Sequence, residues 1–201
     1  MHYYRYGQKE IDYLKSKDSK LGQVIDELGF IKREVNPDVF DSLIASIIGQ
    51  QISTKAALTV TKQLKEMVGK ISAETIYNAR TEDIQECGMS MRKAGYIKGI
   101  ADAAIERNLN FESLHRLSDE EIVKELVKLK GVGEWTGEMM LIHTFERPDV
   151  VSYKDLGIRR GIERLYGLEG DLSKEEFEEY RKRYSPYGTV ASIYLWEVSK
   201  G

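Results

Sequence analysis

A succession of apolar stripes at helical spacing, each opened by a capping residue, constrains the fold more than any other feature of the chain. Asn36 followed by Pro37 sets a good cap and a good first-turn residue before Phe40, Leu43, Ile44 and Ile47. Ser53 is placed to cap the next stretch, which runs to about Gly69. Ser118 with Glu121, and Ser173 with Glu176, have the spacing of capping boxes. Gly88 closes a short helix after Thr81, and the helical period resumes over residues 92–108. Only a few stretches, such as PDVVSY (148–153), read as extended. The chain of 201 residues holds three prolines, and no alternating strands, fixed-period repeat or low-complexity linker is evident. The expected class is all-α.

One stretch breaks the pattern. In LKGVGEWTGEMMLIHTF (129–145), two glycines flank Val132 between a stripe of Ile122, Leu126 and Leu129 and another of Trp135, Met139 and Ile142. Each glycine inside a helix costs about 1 kcal/mol relative to alanine, so the pair reads as a tight turn between two helices. A helix stop accounts for one glycine and leaves the second needing a reason. Backbone amides at the start of the second helix, with its dipole, form an anion site, and glycine lets a phosphate approach without a side-chain clash. Gly131 is expected to make the turn, Val132 to turn inward, and Gly133 to face the ligand. Such a hairpin holds a nucleic-acid backbone without reading sequence.

Charge bears on that reading. Thirty basic against 33 acidic residues give a net charge of −3, which argues against unspecific coating of nucleic acid. The charges are segregated, however. MRKAGYIKGI (91–100) carries Arg92, Lys93 and Lys98 with no acid, while acids gather in SDEE (118–121) and KEEFEEY (174–180). Solvated helix faces and a localised phosphate-binding face both fit. The single cysteine, Cys87, excludes an intramolecular disulfide and any four-cysteine metal or iron–sulfur site, and its apolar neighbours suit a structural thiol. No apolar run approaches a membrane span, and the polar, aromatic first residues offer no signal-peptide core. A cytoplasmic address, with no membrane partner, is the expectation.

Two further features carry chemistry. GQQIS (49–53) joins two helices, and Gln50 and Gln51 are long, uncharged hydrogen-bonding arms at that corner, able to cap either helix. Asp155 stands 22 residues after Gly133, behind an extended apolar approach and ahead of Ile158, Ile162 and Leu165. It is placed to cap that helix, and a carboxylate at a helix start can also project into a cleft.

The ordered combination of LIASIIGQQISTKAA, MSMRKAGYIKGIA, LKGVGEWTGEMML and VSYKDLGIRRG resembles the helix-hairpin-helix DNA glycosylases over about residues 40–200. Within that family it is most similar to the alkylation-repair branch, the type II 3-methyladenine-DNA glycosylases. The resemblance implies two helical subdomains, 1–47 with 150–201 and 48–149, with an active-site cleft between them. It implies a monomer acting on double-stranded DNA that contains damaged bases. It makes Gln51, with Gln50 beside it, the wedge that fills the gap left by a flipped nucleotide. It gives Asp155 the role of stabilising the oxocarbenium charge on the sugar.

The same resemblance makes Trp135 and Tyr187 candidates for stacking on the flipped base. It sets Gly131, Val132, Gly133, Thr136, Arg92 and Lys93, and less directly Arg159 and Arg160, against the DNA backbone. It also implies a monovalent cation, Na+ or K+, on the carbonyls of Gly131 and Gly133. Core packing is the alternative for Trp135 and Tyr187, and it is the reading for Trp196; His143 reads as a packed or surface residue. Strand-cutting relatives carry a lysine where Trp135 stands, and others hold a cluster on four C-terminal cysteines, none of which is present here. Both departures imply a monofunctional enzyme needing no cofactor and holding no iron–sulfur cluster. A glycosylase for oxidised or deaminated purines, or a hairpin module without chemistry, are the competing readings.

Overall fold

The computed structural model describes residues 2–106 and 109–201, so the end of the stretch expected to be helical over 92–108 lies outside the described residues. Its first elements are β1 (His2–Tyr3), α1 (Gln8–Lys17), α2 (Ser19–Leu28), β2 (Glu34–Val35) and α3 (Val39–Gly49). There follow α4 (Thr54–Val68), α5 (Ala73–Asn78), α6 (Thr81–Glu86), α7 (Met91–Ile105) and α8 (Phe111–Leu114). The chain ends with α9 (Asp119–Leu126), α10 (Glu134–His143), α11 (Leu156–Tyr166), α12 (Lys174–Tyr184) and α13 (Gly188–Val198). The class is all-α. Two short strands pair antiparallel, His2 with Val35 and Tyr3 with Glu34, and residues 148–153 form no strand.

Most of the expected caps are realised. The side chains of Ser53, Ser118, Ser173 and Asp155 accept from Ala56, Glu121, Glu176 and Ile158 amides, and Gly69 ends α4. One cap is displaced. Asp38, not Asn36, caps α3 by accepting from the Asp41 amide, while Asn36 accepts from the Asp38 amide and donates to the Asp41 carboxylate. Asn36 thus builds the turn before the cap.

The chain divides into two compact units, Met1–Val35 with Leu141–Gly201, and Asn36–Met140. The divisions lie at 35/36 and 140/141 rather than at the expected 47/48 and 149/150. The first moves because α3 packs as a whole on α4 and α7. The second moves because residues 147–150 are held by α13: the Thr189 amide donates to the Pro148 carbonyl, and the Thr189 hydroxyl to that of Arg147.

In the first unit, α11 and α13 pack at very close range over a core that includes Leu14, Leu21, Ile158, Ile162, Phe177, Ile193 and Tyr194. Full burial of each such side chain contributes roughly 1.5–3 kcal/mol. Glycine makes the approach possible, since a Cβ at Gly161 would collide with the Leu195 carbonyl. In the second unit, α7 packs against α3, α5 and α6, burying Leu43, Ile44, Ile47, Ile76, Ile84 and Ile97. Between α9 and α10 lies the expected hairpin, and Gly137 comes so near Val123 that an added Cβ would stand 3.2 Å from its side chain.

Candidate functional site

The hairpin divides its labour between two glycines. Gly131 has φ +90°, a conformation side chains resist, and the Tyr96 ring covers the place a Cβ would occupy. Val132 is buried, its amide donating to the Leu129 carbonyl. Gly133 has open space where its Cβ would stand, directly ahead of α10. Thr136, in the first turn of that helix, is buried. Bare backbone at a helix start is thus exposed where the sequence calls for an anion.

The two carbonyls named for a cation each accept one hydrogen bond. That of Gly133 accepts the Gly137 amide along α10 at 3.0 Å, and that of Gly131 accepts the Gln50 side-chain amide at 2.8 Å. A carbonyl oxygen carries two lone pairs, so these bonds leave each of the two with one acceptor site.

Gln50 and Gln51 have separate roles. Gln51 is exposed and sits at φ +57°, a left-handed conformation that costs a non-glycine residue about 1–3 kcal/mol and persists only where its surroundings impose it. Its surroundings do. The Lys93 ammonium donates to the Ile48 carbonyl at 2.8 Å and the Gln50 carbonyl at 2.6 Å. Lys93, expected at a DNA phosphate, is therefore half-buried and clamps the corner, and burial lowers its pKa. Arg92 beside it is exposed. A cavity of about 460 Å³, bordered by Gln50, Gln51, Trp135, Thr136 and Met139, opens next to the corner. That volume lies within the range of small-ligand sites, about 300–1,000 Å³. Trp135 is 45% exposed, so it is a lining residue and not core.

Asp155 is 7% exposed, and two donors meet its Oδ1: the Ile158 amide and the Trp196 indole nitrogen, each at 2.9 Å. The approach to it is fastened to α13. Besides the Thr189 contacts, Val150 donates to the Thr189 hydroxyl, Ser192 donates to the Val150 carbonyl, and Asp149 accepts from the Ser185 hydroxyl and the Gly188 amide. A carboxylate on so firm a base keeps one position. Trp196, expected as core, packs at the core's edge with its polar atom on Asp155. His143 is stacked on the Trp196 ring, centroids 5.5 Å apart, and is half-buried; burial, reinforced by the Arg33 charge, lowers its pKa to about 4.

Tyr187 packs edge-on against Tyr13, 5.1 Å between centroids, at the margin of the first unit's core. That position matches the core-packing alternative. The Arg159 guanidinium lies over the Tyr153 ring at 5.2 Å, and Arg160 is exposed. Sequence reasoning missed Trp196, Thr189, Ser192 and Asp149 as supports of Asp155; the only local signal was the polar residues within the apolar stripe of α13.

Comparison with known proteins identifies the family of this fold. The description "HhH-GPD superfamily base excision DNA repair protein" matches residues 44–186. The DNA-3-methyladenine glycosylase 1 of Schizosaccharomyces pombe is 34% identical over 165 residues, which cover 80% of this chain and 72% of that protein. A crystal structure of DNA-3-methyladenine glycosidase from Bacillus halodurans superposes with a TM-score of 0.88 at 33% identity, covering 99% of this chain and 93% of the other. A 3-methyladenine DNA glycosylase of S. pombe in complex with abasic DNA gives 0.83 at 30% identity, covering 96% and 98%. The chain belongs to the HhH-GPD superfamily of base excision DNA repair proteins.

Proposed function

We propose that the protein is a monofunctional DNA glycosylase that hydrolyses the N-glycosidic bond of alkylated purines, such as 3-methyladenine and 7-methylguanine, in damaged duplex DNA. The observation that carries this reading is Asp155: a buried carboxylate held by two donors on one oxygen. Its relatives named for 3-methyladenine support the substrate class.

A base inside a duplex is out of reach, so the nucleotide rotates out at a cost of a few kcal/mol. The hairpin amides around Gly133 anchor the backbone, and Gln51, fixed in its left-handed conformation, occupies the gap. As the C1′–N bond breaks, its electron pair leaves with the base, and positive charge develops on the sugar. Asp155 stabilises that charge electrostatically and orients a water, whose oxygen bonds to C1′ while its proton is released. An alkylated purine is already cationic and departs as a neutral base, so no second carboxylate is required as an acid. Trp135 borders the cavity where a stacked base gains a cation–π contribution of about 0.5–2 kcal/mol when it is charged. That gain is modest, so selectivity rests chiefly on the weakened bond, and the enzyme is permissive.

The test is incubation with duplexes that each bear one lesion, scored for abasic sites after alkali, with a parallel borohydride trap. Alkylated purines should be released faster than 8-oxoguanine or uracil. With tryptophan at position 135 and no amine there to form a Schiff base, no covalent adduct should be trapped. Release of an oxidised base alone would overturn the substrate class, and a trapped adduct would overturn the monofunctional reading.

A further inference from the structure

We infer that Trp196 is a positioning residue for Asp155, and that Gly157 is the residue that lets it act. The inference rests on the role proposed above for Asp155.

A helix cap alone leaves a carboxylate loosely held, because the terminal torsion of aspartate is broad. Here the amide of Ile158 fixes Oδ1 from within α11, and the indole nitrogen of Trp196 meets the same oxygen from α13, 41 residues later in the chain. Two donors from different elements fix that oxygen, and the rigid carboxylate then fixes its partner oxygen. The indole is itself held in place. The Arg33 guanidinium lies over its ring, 4.7 Å from the centroid, and the His143 imidazole stacks on it at an interplanar angle of 18°. The ring is occupied by neighbours of its own unit, and its one hydrogen-bonding atom goes to Asp155.

Such an approach needs room between α11 and α13. A Cβ at Gly157 would stand 2.9 Å from Trp196 Cδ1, the atom bonded to the donating nitrogen, and 3.1 Å from Asp155 Oδ1. One turn on, Gly161 admits the Leu195 carbonyl. The glycine pair in DLGIRRG is thus the sequence feature that brings the indole to the carboxylate.

Two substitutions separate the components. Trp196→Phe keeps a six-membered aromatic ring and removes the N–H with the five-membered one; Gly157→Ala keeps both partners and pushes them apart. Single-turnover excision of 7-methylguanine from a duplex is measured alongside affinity for an abasic-analogue duplex and the melting temperature. Both variants should lose about 10- to 100-fold in rate, the range for removing one hydrogen bond to a charged group. Trp196→Phe should keep affinity near that of the parent, while its melting temperature falls by roughly 3–10 °C, because a buried carboxylate loses a donor. In an Asp155→Asn background Trp196→Phe should cost nothing further, because the indole acts only through that carboxylate. A Trp196→Phe rate close to the parent, a loss that adds fully to that of Asp155→Asn, or a loss matched by falling affinity overturns the inference. Near-normal turnover by Asp155→Asn alone instead overturns the role of Asp155 itself, and with it this inference.

Discussion

The side-chain amide of Gln50 donates to the carbonyl of Gly131 at 2.8 Å, tying the corner that presents Gln51 to the turn that presents Gly133. The feature proposed to fill the duplex and the feature proposed to hold its backbone are therefore one assembly, with Lys93 closing it from the other side.

Lys93 and Arg92, adjacent in sequence, should separate cleanly in binding experiments. Lys93→Met leaves the Ile48 and Gln50 carbonyls without that donor and should destabilise the corner by about 1–3 kcal/mol. Affinity for duplex should fall, yet its dependence on salt should keep the parental slope. Arg92→Ala should instead make the slope of log K against log salt shallower by about 0.9, the value for one lost phosphate contact. A shallower slope for Lys93→Met would return Lys93 to the DNA surface.

The two hairpin glycines should fail in different ways. Gly131→Ala forces a side chain into a left-handed backbone and against Tyr96. A cost of about 1–3 kcal/mol, at roughly 2–4 °C of melting temperature per kcal/mol, is expected. Gly133→Ala meets open space and should melt like the parent, while its methyl group obstructs a phosphate and weakens binding to damaged and undamaged duplex alike. Equal melting temperatures for the two variants, or unchanged binding by Gly133→Ala, would contradict this division of roles.

His143 makes stability depend on pH. Its pKa falls from 6.5 to about 4 on folding, chiefly through burial and then through the Arg33 charge, with Asp155 opposing. Between those values the unfolded chain binds the proton and the folded one does not. Stability is therefore full above pH 6.5 and declines by up to about 3 kcal/mol as pH drops to 4. Melting curves of the parent and of His143→Gln over this range test it: the variant should lose less stability on acidification. Identical pH dependence would mean that His143 does not titrate in this way.

What was legible in the sequence was local. Ser53, Ser118, Ser173 and Asp155 cap the helices their spacing announces, because a cap is settled within four residues. The glycine pair announced a turn with bare backbone ahead of a helix for the same reason. Asn36 was misplaced by two residues, since Asp38 offers an equally good oxygen and Asn36 serves the turn instead. The strands His2–Tyr3 and Glu34–Val35 are too short to show any alternation. The partners of Trp196 and Lys93 lie 41 and more than 40 residues away, beyond any local pattern, and a helical stripe looks the same whether its aromatic residue fills the core or reaches a carboxylate. The unit boundaries depend likewise on which helices pack together, which α3 decides by its contacts with α4 and α7.

The central claim is that the charge of Asp155 drives bond cleavage. Asp155→Asn keeps the size and the oxygen that caps α11 but removes that charge. Its single-turnover rate on a duplex with one 7-methylguanine, measured with enzyme in excess, is the most direct test. The account predicts a fall of at least ~100-fold, with affinity for the same duplex held or increased. A rate within a few-fold of the parent would contradict it.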